Sequence, residues 1–438
     1  MKIKLIVLLI FLSLAMIGLV ACSPSPGDGD VSTPPSDASD LNPGTPDDPP
    51  PTFSPQTPDP TPEPDPKPAL APVPTPAVIM DFNEEMTAFD ITKDMGAGWN
   101  LGNTLDAVLN INSPASVILQ ETNWGNPVTS REMIELLHKS GFTSLRIPIT
   151  WTRFIGEAPD YILNESILNR VQEIVNWAFE FDMYVIINTH HESWNFPDAE
   201  NRETAANIMT ALWHQVASRF AGYCEKLIFE NMNEPRMTGT QYEWSGGTPE
   251  SRGIINYWNQ VFIKVVRETG YNNENRFLLL PTYAASAGQT AIADMWVPRN
   301  DDRVLVSVHS YTPYDLVLAY RGRAADITVF HPDDSRYSQW TREIDDLFDR
   351  LNKTFISQGT AVVMGETGML NKKDNHEDRA RWADYYTSKA VEIGIPCFWW
   401  DNGIKGPVTN NEGFGLMHRQ EAQWHFPEIV EAFVKNFK

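Results

Sequence analysis

The chain has 438 residues, with 57 acidic against 34 basic side chains, a formal net charge of -23, 33 prolines, 14 tryptophans and three cysteines. No basic stripe interrupts the acidity, which argues against the clustered phosphate contacts of a nucleic-acid binder and leaves neutral or cationic ligands. Cys22, Cys224 and Cys397 lie too far apart in sequence for a disulfide framework or a CxxC-type zinc site.

In chain order, Lys2 and Lys4 precede an apolar run from Leu5 to Val20, followed by Ala21 and Cys22. A positive start, a short apolar middle and a small residue before the cut predict an export signal over residues 1–21. The run is shorter than the roughly 20 residues a spanning helix needs. Its Leu-Val-Ala-Cys end resembles the lipobox of bacterial lipoproteins, which implies a lipidated Cys22 and a membrane anchor at the cell surface.

Residues 22–78 follow as a predicted disordered linker. Nineteen of the 33 prolines and a net charge of -8 fall between Ser23 and Val78, where large apolar side chains are scarce. Proline density and like-charge repulsion favour extended polyproline II, so the stretch reads as a semi-rigid tether.

Residues 79–438 are predicted to form one domain. Apolar or β-branched runs recur at Met95–Leu101, Ser144–Thr150, Tyr184–Thr189, Leu227–Asn231, Phe277–Pro281, Val304–His309, Ala361–Gly365 and Ile395–Trp400. Between them lie amphipathic stretches at Ser130–Ser140, Ile167–Phe181, Ala205–Ala221, Ile254–Thr269, Ala285–Met295, Trp340–Ser357 and Asp378–Ile393, with apolar spacing near 3.6. Strands alternating with helices imply parallel pairing, hence an α/β fold of the (β/α)8 TIM-barrel type; periodicity alone leaves an open doubly wound sheet as the rival.

The strand ends favour the barrel, because its catalytic groups come from C-terminal strand ends. The runs lead in turn into Asn100, Asn103 and Asp106; Arg146 and Trp151; His190, His191 and Glu192; Asn233-Glu234-Pro235; His309-Ser310-Tyr311; Gly365-Glu366-Thr367; and Trp399-Trp400-Asp401-Asn402. Glu234 and Glu366 each follow an apolar run directly, where a charge is costly unless it is partnered or functional. An ion pair with Arg146 would account for either one alone. A pair of carboxylates is what glycoside hydrolysis requires: one proton donor to the leaving oxygen and one nucleophile or base at the anomeric carbon.

The segments GWNLGNTLDA, RIPITW, INTHHE, FENMNEP, VHSY and MGETG together resemble glycoside hydrolase family 5, the endo-β-glucanase family, over nearly all of residues 80–438. The resemblance implies a retaining mechanism, with Glu234 as acid/base and Glu366 as nucleophile. It further implies that Arg146 and Tyr311 hold Glu366 ionised, that Asn233 binds the sugar 2-hydroxyl, and that His190 and His309 orient hydroxyls and the acid/base. His190, His191 and Glu192 could suggest zinc, but neighbouring strand residues face opposite sides and do not ligate one ion easily; neither metal nor cofactor is expected.

Pyranose rings present apolar C–H faces to indoles. Trp399 or Trp400 is therefore expected to floor the subsite beside the scissile bond, with Trp400 favoured. Trp124, Trp151, Trp194 and Trp244 are loop candidates for further subsites, and Asn103, Asp106 and His191 for sugar hydroxyls, whereas Trp177, Trp213 and Trp258 read as helix packing. The expected protein is a monomeric endo-acting β-1,4-glucanase on plant cell-wall β-glucan, with β-mannanase and a non-catalytic glucan-binding protein as alternatives. Cys224 and Cys397 are expected to be free thiols.

Overall fold

The computed structural model describes residues 67–407 and 412–438. The export signal, Cys22 and the linker up to residue 66 lie outside the described residues.

Eight parallel strands close into a barrel in sequential order: β1 (Ala97–Leu101), β2 (Ser144–Ile147), β3 (Tyr184–Asn188), β4 (Leu227–Glu230), β5 (Leu278–Ser286), β6 (Val304–His309), β7 (Val362–Thr367) and β8 (Cys397–Asp401). Closure comes from β8 pairing with β1, with Trp99 opposite Trp399 and Asn100 opposite Trp400. Each strand coincides with one of the expected runs. The open-sheet rival is thereby removed.

Outer helices at Arg131–Ser140, Glu165–Glu180, Arg202–Arg219, Pro249–Glu268, Tyr337–Thr354 and His376–Glu392 cover the barrel. The helix expected over Ala285–Met295 shrinks to Gln289–Ile292, because β5 runs on to Ser286 through Ala284 and Ala285 at φ 53° and 44°. Left-handed backbone at two alanines cannot start a helix.

The period-two alternation of the strands sorts the core. Inside the barrel, Tyr184, Ile186, Ile228, Leu279, Leu305, Val363 and Phe398 form one buried cluster, plugged from below by the short helix Ala88–Met95. Their strand neighbours, among them Val185, Phe229, Val306, Met364, Cys397 and Trp399, pack outward beneath the helices. One layer above the apolar plug, the inward positions become Asn100, Arg146, Asn188, Glu230 and Ser307, all fully buried. An apolar floor under a polar layer is what lets this barrel hold charge at its C-terminal mouth.

Residues 67–78 correct the linker expectation. This stretch lies on the outside of the barrel: the Ala71 carbonyl is 2.7 Å from His214 Nε2, and the next residues reach Met80, whose N–H donates to the Gly222 carbonyl at 2.7 Å. Gly222 is needed there, since a Cβ would stand 2.1 Å from the Val78 carbonyl oxygen. The extended proline conformation favoured for a tether equally suits a strap against a helical surface.

Candidate active site

Arg146, on β2, organises the mouth. Its guanidinium donates to Glu230 Oε2 at 2.7 Å, and at 2.9 Å each to Asn100 Oδ1, Glu366 Oε1 and Asn233 Oδ1. Glu230 in turn accepts from Asn188 Nδ2 at 3.0 Å and from Ser307 Oγ at 2.5 Å. This carboxylate is saturated with donors and fully enclosed, so its part is to hold Arg146 in place. Glu230 stands inside the FENMNEP segment without a role legible from the motif; its sequence signal is an acid two residues after Ile228, in phase with the barrel interior.

Glu366 reaches the mouth by an irregularity in β7. Strict alternation from Val363 would turn Glu366 outward, but the β6–β7 and β7–β8 registers shift between Met364 and Thr367. A bulge of this kind re-aims a side chain. Glu366 Oε1 then meets Arg146, and Oε2 accepts from the Tyr311 hydroxyl at 3.0 Å. Burial and the Glu366 charge raise the Tyr311 hydroxyl far above its usual range, so it remains a donor.

Glu234, just past β4, takes different partners. Its Oε1 lies 2.9 Å from His309 Nδ1, and its Oε2 3.3 Å from Arg236 Nη1. One oxygen of Glu234, one of Glu366 and a His309 nitrogen all fall within 4.8 Å of one another. Burial pushes the proton affinity of Glu366 up, against the pull of His309 and Arg146. On Glu234 the same burial is overridden by the His309 contact and by Arg236, which leave its carboxyl below the usual value while His309 is charged.

His309 Nε2 is buried and without a hydrogen-bond partner among the described residues; it packs over Gly365, 3.0 Å from where a Cβ would be. A protonated imidazole would bury that N–H unsatisfied, at a cost of about 1–3 kcal/mol. A ring that donates from Nδ1 to Glu234 and carries no proton on Nε2 leaves no buried N–H without an acceptor.

His190 is neutral, since burial and then the neighbouring His191, Arg146 and His309 depress its proton affinity well below the ordinary value. Its Nδ1 lies 3.1 Å from Asn188 Nδ2, its Nε2 4.0 Å from Glu366 Oε1, and its ring is parallel to Trp400, with centroids 5.8 Å apart. His191 sits edge-on to His190 at 4.5 Å and 5.8 Å from Trp124, which is 37% exposed. Trp400, His190, His191 and Trp124 thus form a run of rings leading out of the mouth.

Four sequence expectations need correction. Trp399 is fully buried, packed against Phe433 with centroids 5.6 Å apart and donating its indole N–H to the Phe414 carbonyl at 3.0 Å, so it has no face for a sugar. Trp151 is likewise enclosed and donates to the Asn188 carbonyl at 2.8 Å. Trp194 lies in the core with its N–H on Glu192 Oε2 at 3.0 Å. Asp106, fully buried, accepts the backbone N–H of Asn103 at 2.9 Å and of Thr104 at 2.6 Å; it shapes the turn after β1 instead of meeting solvent.

Asn103 holds that turn at φ 53° and is almost buried. Trp244 is 67% exposed, with the Arg236 guanidinium over its ring at 4.4 Å. Trp213 and Trp258 are buried on the inner faces of their own helices and Trp177 is partly buried against the same core, as expected. Cys224 and Cys397 are free. Beside Glu234 a cavity of about 700 Å³ opens, lined by Trp244, His309, Tyr311, Tyr314 and Tyr320 among others, but not by Glu366.

A closed parallel barrel with one carboxylate just past strand four and another on strand seven, both within 4.8 Å of one imidazole nitrogen, is the arrangement of a glycoside hydrolase. The model of the cellulase family, glycosyl hydrolase family 5, matches residues 110–406, and the chain belongs to that family. It is 40% identical over 359 residues to Cellulase/esterase CelE of Acetivibrio thermocellus, covering 82% of this chain but 41% of that protein. Endoglucanase A of Ruminococcus albus is 41% identical over 356 residues, covering 81% of this chain and 94% of its own length. Among solved structures, XEG5A, a xyloglucan-specific endo-β-1,4-glucanase from a metagenomic library in complex with cellotriose, aligns with TM-score 0.73 and 38% identity over 80% of this chain and 98% of its own.

Proposed function

We propose that Glu234 is the acid/base and Glu366 the nucleophile of a retaining endo-β-1,4-glucanase acting on cell-wall β-glucan. The observation that carries this reading is the proximity of the two carboxylates, within 4.8 Å by their nearest oxygens. Retaining enzymes place them about 5–5.5 Å apart, whereas inverting ones need about 6.5–9.5 Å to admit a water.

The pair shares one proton, because two carboxylates this close do not both ionise readily. Glu366 has the direct cation Arg146 and the Tyr311 hydroxyl on its two oxygens. Glu234 has the His309 imidazole and an arginine that Glu243 partly neutralises at 3.2 Å. Arg146 and the Tyr311 hydroxyl favour the ionised form of Glu366 over that of Glu234, so the shared proton rests on Glu234.

In the first step Glu366 bonds to the anomeric carbon while the bond to the leaving oxygen breaks and that oxygen takes the Glu234 proton. Esterification removes the Glu366 charge, so the proton affinity of Glu234 falls. In the second step Glu234 accepts a proton from water, whose oxygen bonds to the anomeric carbon and releases Glu366. Asn233, with its carbonyl held by Arg146, is turned with its amide nitrogen toward the sugar 2-hydroxyl, and Trp400 floors the ring. The leaving chain occupies the cavity on the Glu234 side, past Trp244.

At the N-terminus, the lipobox-like Cys22 anchors the exported chain to a membrane and residues 23–66 set the barrel's reach. Loss of labelled-palmitate incorporation in Cys22→Ser tests the anchor. For the chemistry, reducing-sugar release is measured on carboxymethylcellulose, lichenan, xyloglucan and mannan. Activity on the glucans that vanishes in Glu366→Gln supports the reading; activity confined to mannan, or retained in that variant, refutes it.

A further inference from the structure

We infer that Arg236 is a positioning residue that sets the proton affinity of Glu234, and that Glu243 and Trp244 hold it to that task. The inference rests on the acid/base role proposed for Glu234.

Arg236 follows the Asn-Glu-Pro segment by one residue. It grips Glu234 twice, through Nη1 to the carbonyl at 3.0 Å and to Oε2 at 3.3 Å. Its Nε meets Glu243 Oε1 at 3.2 Å, and its plane lies over the Trp244 indole at 4.4 Å. Glu243 is itself fixed, accepting the Gly239 N–H on its other oxygen at 2.9 Å. The loop after β4 thus delivers a braced cation to one oxygen of the acid/base.

A braced cation is useful because Glu234 must serve in both protonation states. It must hold a proton beside ionised Glu366, then release it once Glu366 is esterified. Arg236 opposes the first state and favours the second, and Glu243 tempers the charge so that neither is lost. The other titratable groups facing Glu234 are His309 from β6, Tyr311 just beyond it, Glu366 from β7 and, further off, His191 beyond β3.

The test uses two substrates with the full chain. On soluble xyloglucan, the basic limb of kcat/KM requires protonated Glu234. On dinitrophenyl β-cellobioside, whose leaving group needs no proton, the acidic limb of kcat requires ionised Glu234 in the second step. An adjacent cation lowers a carboxyl by about 1–3 units, and the Glu243 countercharge places Arg236 at the low end.

Arg236→Gln is expected to move both limbs upward by about one pH unit, and Arg236→Lys to restore part of that shift. Glu243→Gln, which frees the cation, moves both limbs downward. A structural role would lower both rates without moving either limb, and that outcome, or an upward shift in Glu243→Gln, overturns the inference. Glu234→Ala separates the two readings: loss of the basic limb on xyloglucan upholds its acid role whatever Arg236 does, and an unchanged profile overturns that role itself.

Discussion

Trp399 and Trp400 are consecutive, yet the pleat of β8 sends them to opposite faces, and their substitution should separate stability from activity. Trp399→Ala empties a fully enclosed indole site beneath the helices, bounded by Trp382 at 6.1 Å and Phe433 at 5.6 Å between centroids. Such truncations cost about 3–5 kcal/mol, and leaving the Phe414 carbonyl without its donor adds about 1 kcal/mol or more. At about 2 °C per kcal/mol for a domain of this size, Tm should fall by about 10 °C. The kcat/KM of the molecules still folded at 25 °C should stay within about threefold of the parent.

Trp400→Ala should do the reverse. An indole stacked on a pyranose removes about 100 Å² of apolar surface from water, and at about 25 cal/mol per Å² this is about 2.5 kcal/mol. Spent in the transition state, that is a fall of about 70-fold in kcat/KM, with Tm nearly unchanged. Thermal melts and initial rates on xyloglucan for the two variants decide the matter. Early melting with a normal rate in Trp400→Ala, together with normal melting and a slow rate in Trp399→Ala, would refute the facing assigned by the pleat.

Three further outcomes are expected. Arg146→Met strands Glu230 and Glu366 without their cation; breaking a buried pair in this way costs about 3–5 kcal/mol, and the proton affinity of Glu366 rises, so the acidic limb of kcat/KM on cellobioside substrates moves to higher pH. Glu192 is buried on Thr152 and Trp194 and its carboxyl is pushed up to about 7, chiefly by burial. A raised folded-state pKa stabilises the protonated form, so this contribution is full below about pH 4.5 and is lost as pH rises through about 7; chemical denaturation at pH 5.5 and 7.5 should show less pH dependence in Glu192→Gln than in the parent. Removing residues 23–66 should leave Tm unchanged, whereas removal through residue 78 should lower it by uncovering Gly222 and the His214 face; equal melting of the two forms would deny the strap.

Much of this was legible in the amino-acid order because the signals are local. Runs such as Tyr184–Asn188 and Val304–His309 carry a strand's β-branched residues and end in polar groups, so the alternation of strands with helices and the placement of Glu234 and Glu366 at C-terminal strand ends follow from the residue order along the chain. Tyr311, Arg146 and His309 meet those carboxylates as their motif positions implied. Closure decided the rest. Which tryptophan of a pair faces the cleft depends on which neighbour, Phe398 or Trp399, joins the interior, and period-two alternation alone has no origin.

Glu366 faces inward only because the ladder slips beside Gly365, a shift set by three strands together. Glu230 is a strut and Asp106 a turn anchor because atoms far away in sequence, Arg146 and Ser307 or the Asn103 and Thr104 amides, converge on them. The residues 67–78 looked like open tether until a helical surface appeared for them to lie on. A sequence shows which groups are costly to bury; only the folded arrangement shows which partners make the burial stable, and so which carboxylates are structural and which remain for chemistry.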